Sequence, residues 1–256
     1  MGNIIAILNQ KGGVGKTTTT INLAAYIAKT GKSVLIVDSD PQGNATSGLG
    51  IDKQQVQFTT YDILNNRCSA EQAIVNTEFT NLAVIPANAN LAASESELVS
   101  SARREQLLAN SLSNLPYDFI LIDCPPSLGL LTINALTAAN WLLVPVQAEY
   151  YAMEGLTQLI DVFQRVRSNI NPSLMMLGII VTMYDSRTSL SEQVVAELKQ
   201  HFGDLVLPTY IPRNVRLAEA PSYGRPISEH DKWSKGARAY KQMTKEVLKR
   251  VQANQQ

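Results

Sequence analysis

Short runs rich in β-branched residues, apolar at nearly every position rather than at alternate ones, recur along the chain. Between them lie longer segments in which apolar residues return every three or four positions. The first pattern predicts strands covered on both faces, and the second predicts amphipathic helices. Strands are expected at residues 4–8, 33–37, 82–85, 119–122, 141–146 and 177–181, with a weaker one around 206–211. Helical period covers 17–29, 103–114, 130–139, 153–168, 190–201 and 234–252. The last of these places Ala237, Tyr240, Thr244, Val247, Leu248 and Val251 near one face, which predicts packing on the body. Residues 42–66, rich in Gly, Gln and Asn, predict a surface loop with short helices. Alternating strand and helix means βαβ crossovers, so the expected fold class is α/β: a doubly wound, mostly parallel sheet with helices on both faces.

At 256 residues, 45% hydrophobic and 17% charged, the chain can bury one sizeable core, and a single domain over 1–256 is expected. No stretch of about 18 apolar residues offers a membrane span. The N-terminal apolar run begins without a basic leader, and Ala6 stands where a myristoylation pattern needs Ser or Thr, so a cytoplasmic protein is expected. Cys68 and Cys124 are too few for a disulfide framework and read as reduced thiols. Net charge is zero, yet from Arg213 onward ten Lys/Arg face four carboxylates. That basic segment on an otherwise acidic body suggests a polyanion-facing surface, and a solvated helix face is the competing explanation.

The most specific chemistry lies at 10–18, QKGGVGKTT, directly after one predicted strand and before a helix. Glycines there let consecutive backbone N–H groups close around phosphate oxygens at a helix N-terminus. Gly12, Gly13, Val14, Gly15, Lys16, Thr17 and Thr18 form the expected nucleotide-binding loop. Lys16 would reach the β- and γ-phosphates, and Thr17 would offer its hydroxyl to Mg²⁺. Carboxylates follow at strand ends, where open α/β sheets place their ligands. Asp123 is the candidate Mg²⁺ carboxylate, with Asp38 behind it for the same ion. Pro125 and Pro126 break the strand ahead of Ser127, Leu128 and Gly129, an expected switch segment for the γ-phosphate.

The general loop pattern puts its first glycine at position 10, where this chain has Gln10 followed by Lys11. In that departure the sequence resembles the deviant Walker A P-loop NTPases, which include the partition ATPase ParA (Soj), the division-site ATPase MinD and the nitrogenase iron protein. The resemblance implies an ATPase using ATP and Mg²⁺, with three catalytic residues: Lys11, Lys16 and Asp40. Lys11 would cross a homodimer interface to the partner's nucleotide, and Asp40 would position the attacking water. The ParA (Soj) branch is the most similar, through 38–50 (DSDPQGNATSGLG), 123–135 (DCPPSLGLLTINA), 145–152 (PVQAEYYA) and 211–226 (IPRNVRLAEAPSYGRP). With no room for a further DNA-binding domain before Ile4, the chain resembles the short chromosomal type.

This branch implies non-specific DNA binding in the ATP state, nucleoid association, and chromosome or plasmid segregation with a ParB-type centromere-binding protein that stimulates hydrolysis. It also places a DNA contact at Arg187 and adenine-side contacts at Pro212 and Asn214. The basic C-terminal stretch adds Arg213, Arg216, Arg225, Lys232 and Lys235 as DNA candidates, although Arg216 can equally pair with Glu219 at helical spacing. A MinD-like membrane ATPase is the alternative. It calls for a C-terminal amphipathic helix with bulky apolar residues, whereas this helix lacks Phe and Trp. A nitrogenase-like reductase would want a Cys-Gly-Gly setting where Cys124 has Cys-Pro-Pro. A module that merely holds nucleotide would need neither Lys11 nor Asp40. No stable membrane association is expected.

Overall fold

The computed structural model describes residues 2–150 and 152–254. The first half runs β1 (Asn3–Ile7), α1 (Lys16–Ala28), β2 (Val34–Asp38), α2 (Asn44–Gly48), α3 (Thr60–Leu64), α4 (Ala70–Ala73), β3 (Val75–Asn76), β4 (Leu82–Ile85), α5 (Ser94–Glu97) and α6 (Leu107–Leu112). The second half runs β5 (Phe119–Asp123), α7 (Leu130–Ala138), β6 (Trp141–Gln147), α8 (Ala152–Asn169), β7 (Met175–Thr182), α9 (Ser189–Phe202), α10 (Val215–Glu219), α11 (Ile227–His230) and α12 (Lys235–Ala253). Seven strands form one sheet in the order β3-β4-β2-β5-β1-β6-β7, parallel except for the antiparallel edge strand β3.

Alternate strand residues feed two separate cores. Ile5, Ile7, Val34, Ile36, Leu121 and Leu143 pack with α1 and α12 on one face. Ala6, Leu8, Leu35, Val37, Ile122 and Val144 pack with α6, α7, α8 and α9 on the other. Both faces are therefore covered, as the uninterrupted apolar runs require. The apolar stripe of α12 lies against the body: Ala237, Tyr240, Thr244, Val247 and Val251 are buried, Met243 joins them, and Leu248 is half-buried.

Two expectations are corrected. Residues 206–211 do not form a strand, because the Thr209 N–H, due to continue the ladder, turns instead to Glu246 Oε2 (3.2 Å). The segment touches β7 only through Leu207 N–H to Ile179 O (2.9 Å) and Ile211 N–H to Val181 O (2.8 Å). The helix expected over 103–114 is a 3-10 turn (Arg104–Gln106) followed by the shorter α6, entered from Arg103 at φ 54°.

Sheet order decides where the chemistry gathers. Inserting β5 between β2 and β1 sets Ile7 and Asp38 each beside Asp123 in register, so three strand ends meet at the start of α1.

Candidate nucleotide site

The loop after β1 is shaped by two glycines in the left-handed region, Gly13 (φ 75°) and Gly15 (φ 87°). It is tied to the sheet on both sides. Buried Asn9 donates to Pro145 O (2.7 Å) and accepts from Lys11 N–H (3.0 Å), while Thr182 Oγ1 donates to Val14 O (2.8 Å). Gly15 caps α1 and offers no side chain to its first turn, so the N–H groups at this helix start have no capping partner. That arrangement suits phosphate oxygens. Lys16 is buried and donates to Lys11 O (3.0 Å) across the mouth of the loop. Desolvation lowers its pKa, and the charge of Asp123 works in the opposite direction.

The carboxylates are held rather than loose. Thr17 Oγ1 donates to Asp123 Oδ2 (2.7 Å), and Thr20 Oγ1, one turn on, donates to Oδ1 (3.0 Å). Asp38 accepts Thr46 N–H (2.8 Å) and Thr46 Oγ1 (2.7 Å) at one oxygen and Asp40 N–H (3.2 Å) at the other. Both acids are fully buried, and burial drives both pKa values upward. The hydrogen bonds from Thr46 oppose the rise at Asp38, and the charge of Asp38 adds to it at Asp123. Asp40 is also buried and accepts Gln42 N–H at Oδ1 (2.9 Å). Among the described residues its second oxygen takes no hydrogen bond.

A magnesium nucleotide fits this set. Two buried acids that form no ion pair among the described residues, a threonine hydroxyl 2.7 Å from one, the Lys16 ammonium nearby and uncapped N–H groups are the set it needs. Gln10 Oε1 and Ser39 Oγ, buried and unpartnered beside the loop and the carboxylates, are further polar groups that bound nucleotide, metal or water could satisfy. Among the described residues no three acids or thiols converge to cage a metal.

Beyond the loop, a hollow of about 200 Å³ is lined by Gly15, Thr18, Met183, Pro212, Asn214 and Tyr240, among others, so Pro212 and Asn214 do border the loop's far side. Asn214 is already engaged there, its Oδ1 capping α10 at Leu217 N–H (3.2 Å). Met183 sits at φ 50°, a strained backbone at the site's edge that no sequence pattern announced. Lys11 is half-exposed, with Nζ 3.4 Å from Glu149 Oε2, and the same carboxylate lies 3.8 Å from Arg213 and accepts from Gln147 Nε2. Glu149 lies within the segment 145–152 but carries no signature of its own. Its charged partners come from two distant parts of the chain, and Gln147 lies two residues before it.

The proposed polyanion contacts are not all free. Arg187 forks onto Asp185 (2.9 and 2.7 Å), holding that carboxyl at about pKa 2. Arg216 pairs with Glu219 (2.9 Å) and lies 3.7 Å from Asp231. Arg225, Lys232 and Lys235 are exposed, Lys232 over the Trp233 ring. Arg250 turns inward onto the carbonyls of Leu177 (2.9 Å) and Leu205 (3.1 Å) and serves packing.

A glycine loop between a parallel strand and a helix, facing carboxylates at two neighbouring strand ends, defines a P-loop nucleoside triphosphatase of the kind with an additional loop lysine. The family model described as AAA domain matches residues 2–176. The chain is 55% identical to the sporulation initiation inhibitor protein Soj of Bacillus subtilis, over 96% of this chain and 98% of that one. It is 49% identical to the chromosome partitioning protein ParA of Caulobacter vibrioides, over 98% and 96%. Cobyrinic acid a,c-diamide synthase of Mycobacterium smegmatis, solved with ADP and magnesium, superposes with a TM-score of 0.87 at 36% identity, covering 99% of this chain and 97% of that one. The chain belongs to the ParA/Soj family of chromosome-partitioning ATPases.

Proposed function

We propose that this chain, acting as one ATPase domain over 1–256, is an ATP-dependent dimerising switch that moves chromosomes or plasmids. ATP and Mg²⁺ are its cofactors. Lys16 and the helix N-terminus receive the phosphates, Thr17 and Asp123 hold the metal with Asp38 behind them, and Asp40 orients water through its uncommitted oxygen. Magnesium, when bound, would supply charge neutralisation to the phosphates. Lys11 reaches the nucleotide of a second subunit and adds a cation as phosphoryl charge spreads. The observation that carries the reading is the placing of Lys11. Its backbone is pinned by Asn9, while its half-exposed side chain rests on a single carboxylate at the loop's mouth. An exposed pair of this sort is worth about 0–1 kcal/mol, so a second subunit's phosphate can take the ammonium over at little cost.

The ATP dimer binds DNA without sequence preference, through Arg187, Arg213, Arg216, Arg225, Lys232 and Lys235, and is cytoplasmic and nucleoid-associated. A ParB-type partner completes the hydrolytic geometry and returns the protein to monomers. The apolar stripe of α12 is spent on the core, which supports this reading over a membrane-associated one. The test is Asp40→Ala. This variant should form a lasting dimer with ATP and Mg²⁺, shift DNA in that state only, and turn over no ATP; normal hydrolysis would remove Asp40 from the mechanism.

A further inference from the structure

The C-terminal end of α1 borders a second hollow, apolar over much of its wall and rimmed by lysines. The helix has 13 residues, which puts this end roughly 20 Å from the phosphate loop. Here a cleft of about 440 Å³ opens between α1 and α12, lined by Tyr26, Lys29, Lys232, Trp233, Lys241 and Lys245, among others. Four lysines face it and no carboxylate lines it. Lys29 is neutralised from the next hollow by Glu229 (2.6 Å). Among the described residues no carboxylate pairs with Lys232, Lys241 or Lys245. Lys241 and Lys245 stand one turn apart on the same face of α12, where like charges repel.

Two further features point to a ligand. Trp233 is 78% exposed, yet its backbone is fixed by Asp231 Oδ1 (3.1 Å), so the indole is presented on an ordered turn. The Ser228 hydroxyl is buried, has no partner, and borders this cleft and its neighbour. A buried orphan hydroxyl, ammonium groups without a carboxylate partner and a largely exposed indole that already holds Lys232 Nζ 5.4 Å from a ring centroid together match a phosphate attached to a planar ring. We infer that this cleft is a second ligand site, for a molecule of the nucleoside monophosphate class. Lys241, Lys245 and Ser228 meet the phosphate, and Trp233 stacks on the base. The site is separate from the ATP pocket, and α12, which carries Lys241 and Lys245, meets α1 through the Tyr240 and Thr19 hydroxyls (3.1 Å).

The test is titration of the full chain, its loop filled with ADP and Mg²⁺, with thymidine 5′-monophosphate, thymidine, inorganic phosphate and a short DNA duplex. Of the two tryptophans, Trp141 is buried, so a saturable change in emission reports Trp233. The monophosphate should bind more tightly than thymidine or phosphate. The double variant Lys241→Gln and Lys245→Gln should weaken it about tenfold or more, as expected for lost charge-assisted contacts, with ADP affinity and melting temperature unchanged. Calorimetry on Trp233→Ala, with a similar loss, supports the stacking role without relying on fluorescence. Absence of saturation, equal affinity in both variants, or binding of duplex alone would overturn the assignment.

Discussion

Asp38 and Asp123 end adjacent strands with their carboxyl groups fully buried, and both hold their protons to higher pH than an exposed acid. The unfolded chain releases those protons in the ordinary carboxylate range. Between that range and the raised folded pKa values the folded state therefore binds more protons, and stability of the nucleotide-free chain falls as pH rises. The penalty is complete above the folded values. Asp123→Asn removes one charge and keeps its partners, since the Thr17 and Thr20 hydroxyls can turn to accept. Its melting midpoint without nucleotide at pH about 8 should exceed that of the parent, by roughly 2–4 °C for each kcal/mol relieved, and should not rise further with Mg²⁺ and ATP. An unchanged or lower midpoint would show that the acids do not strain the apo fold. The loop and both acids were legible in the sequence because each sits where a strand ends. Thr46, Thr20 and Glu149 were not, because their roles depend on partners brought together only by folding.

At the scale of elements, α12 shows why periodicity succeeded and where it stopped. Its stripe predicted which side is buried, and the structure adds that Tyr240 spans to α1 as a fully enclosed side chain. Tyr240→Phe should cost about 1 kcal/mol through the lost hydroxyl contact, and Tyr240→Ala about 3–5 kcal/mol through the cavity, read by urea unfolding. Equal costs for the two would mean that packing contributes nothing. A second close approach was invisible in sequence. Gly224, at φ 63°, passes so near Gly50 that an added Cβ would lie 2.6 Å from its Cα. Gly224→Ala should therefore destabilise by about 1–3 kcal/mol or more, since backbone and not a movable side chain is in the way. The buried strands were readable from composition, whereas β3, two residues on an antiparallel edge, was too short to leave a period.

For the whole molecule, the basic C-terminal segment proved less uniform than its charge count suggested: Arg216 and Arg250 have internal partners, while Arg225, Lys232 and Lys235 stay open. Pairing two subunits doubles the available phosphate contacts, so DNA affinity should depend on ATP and fall with salt. If a dimer neutralises about four phosphates, a fourfold rise in salt should weaken binding on the order of 10²-fold, and a flat response would contradict an electrostatic interface. All of this depends on Lys11 serving a neighbour's nucleotide. The decisive measurement is the molecular mass in solution, by light scattering with ATP and Mg²⁺, of Asp40→Ala against Asp40→Ala carrying Lys11→Ala as well. The account predicts a dimer for the first and a monomer for the second, with ATP still bound to both; a dimer in both would contradict it.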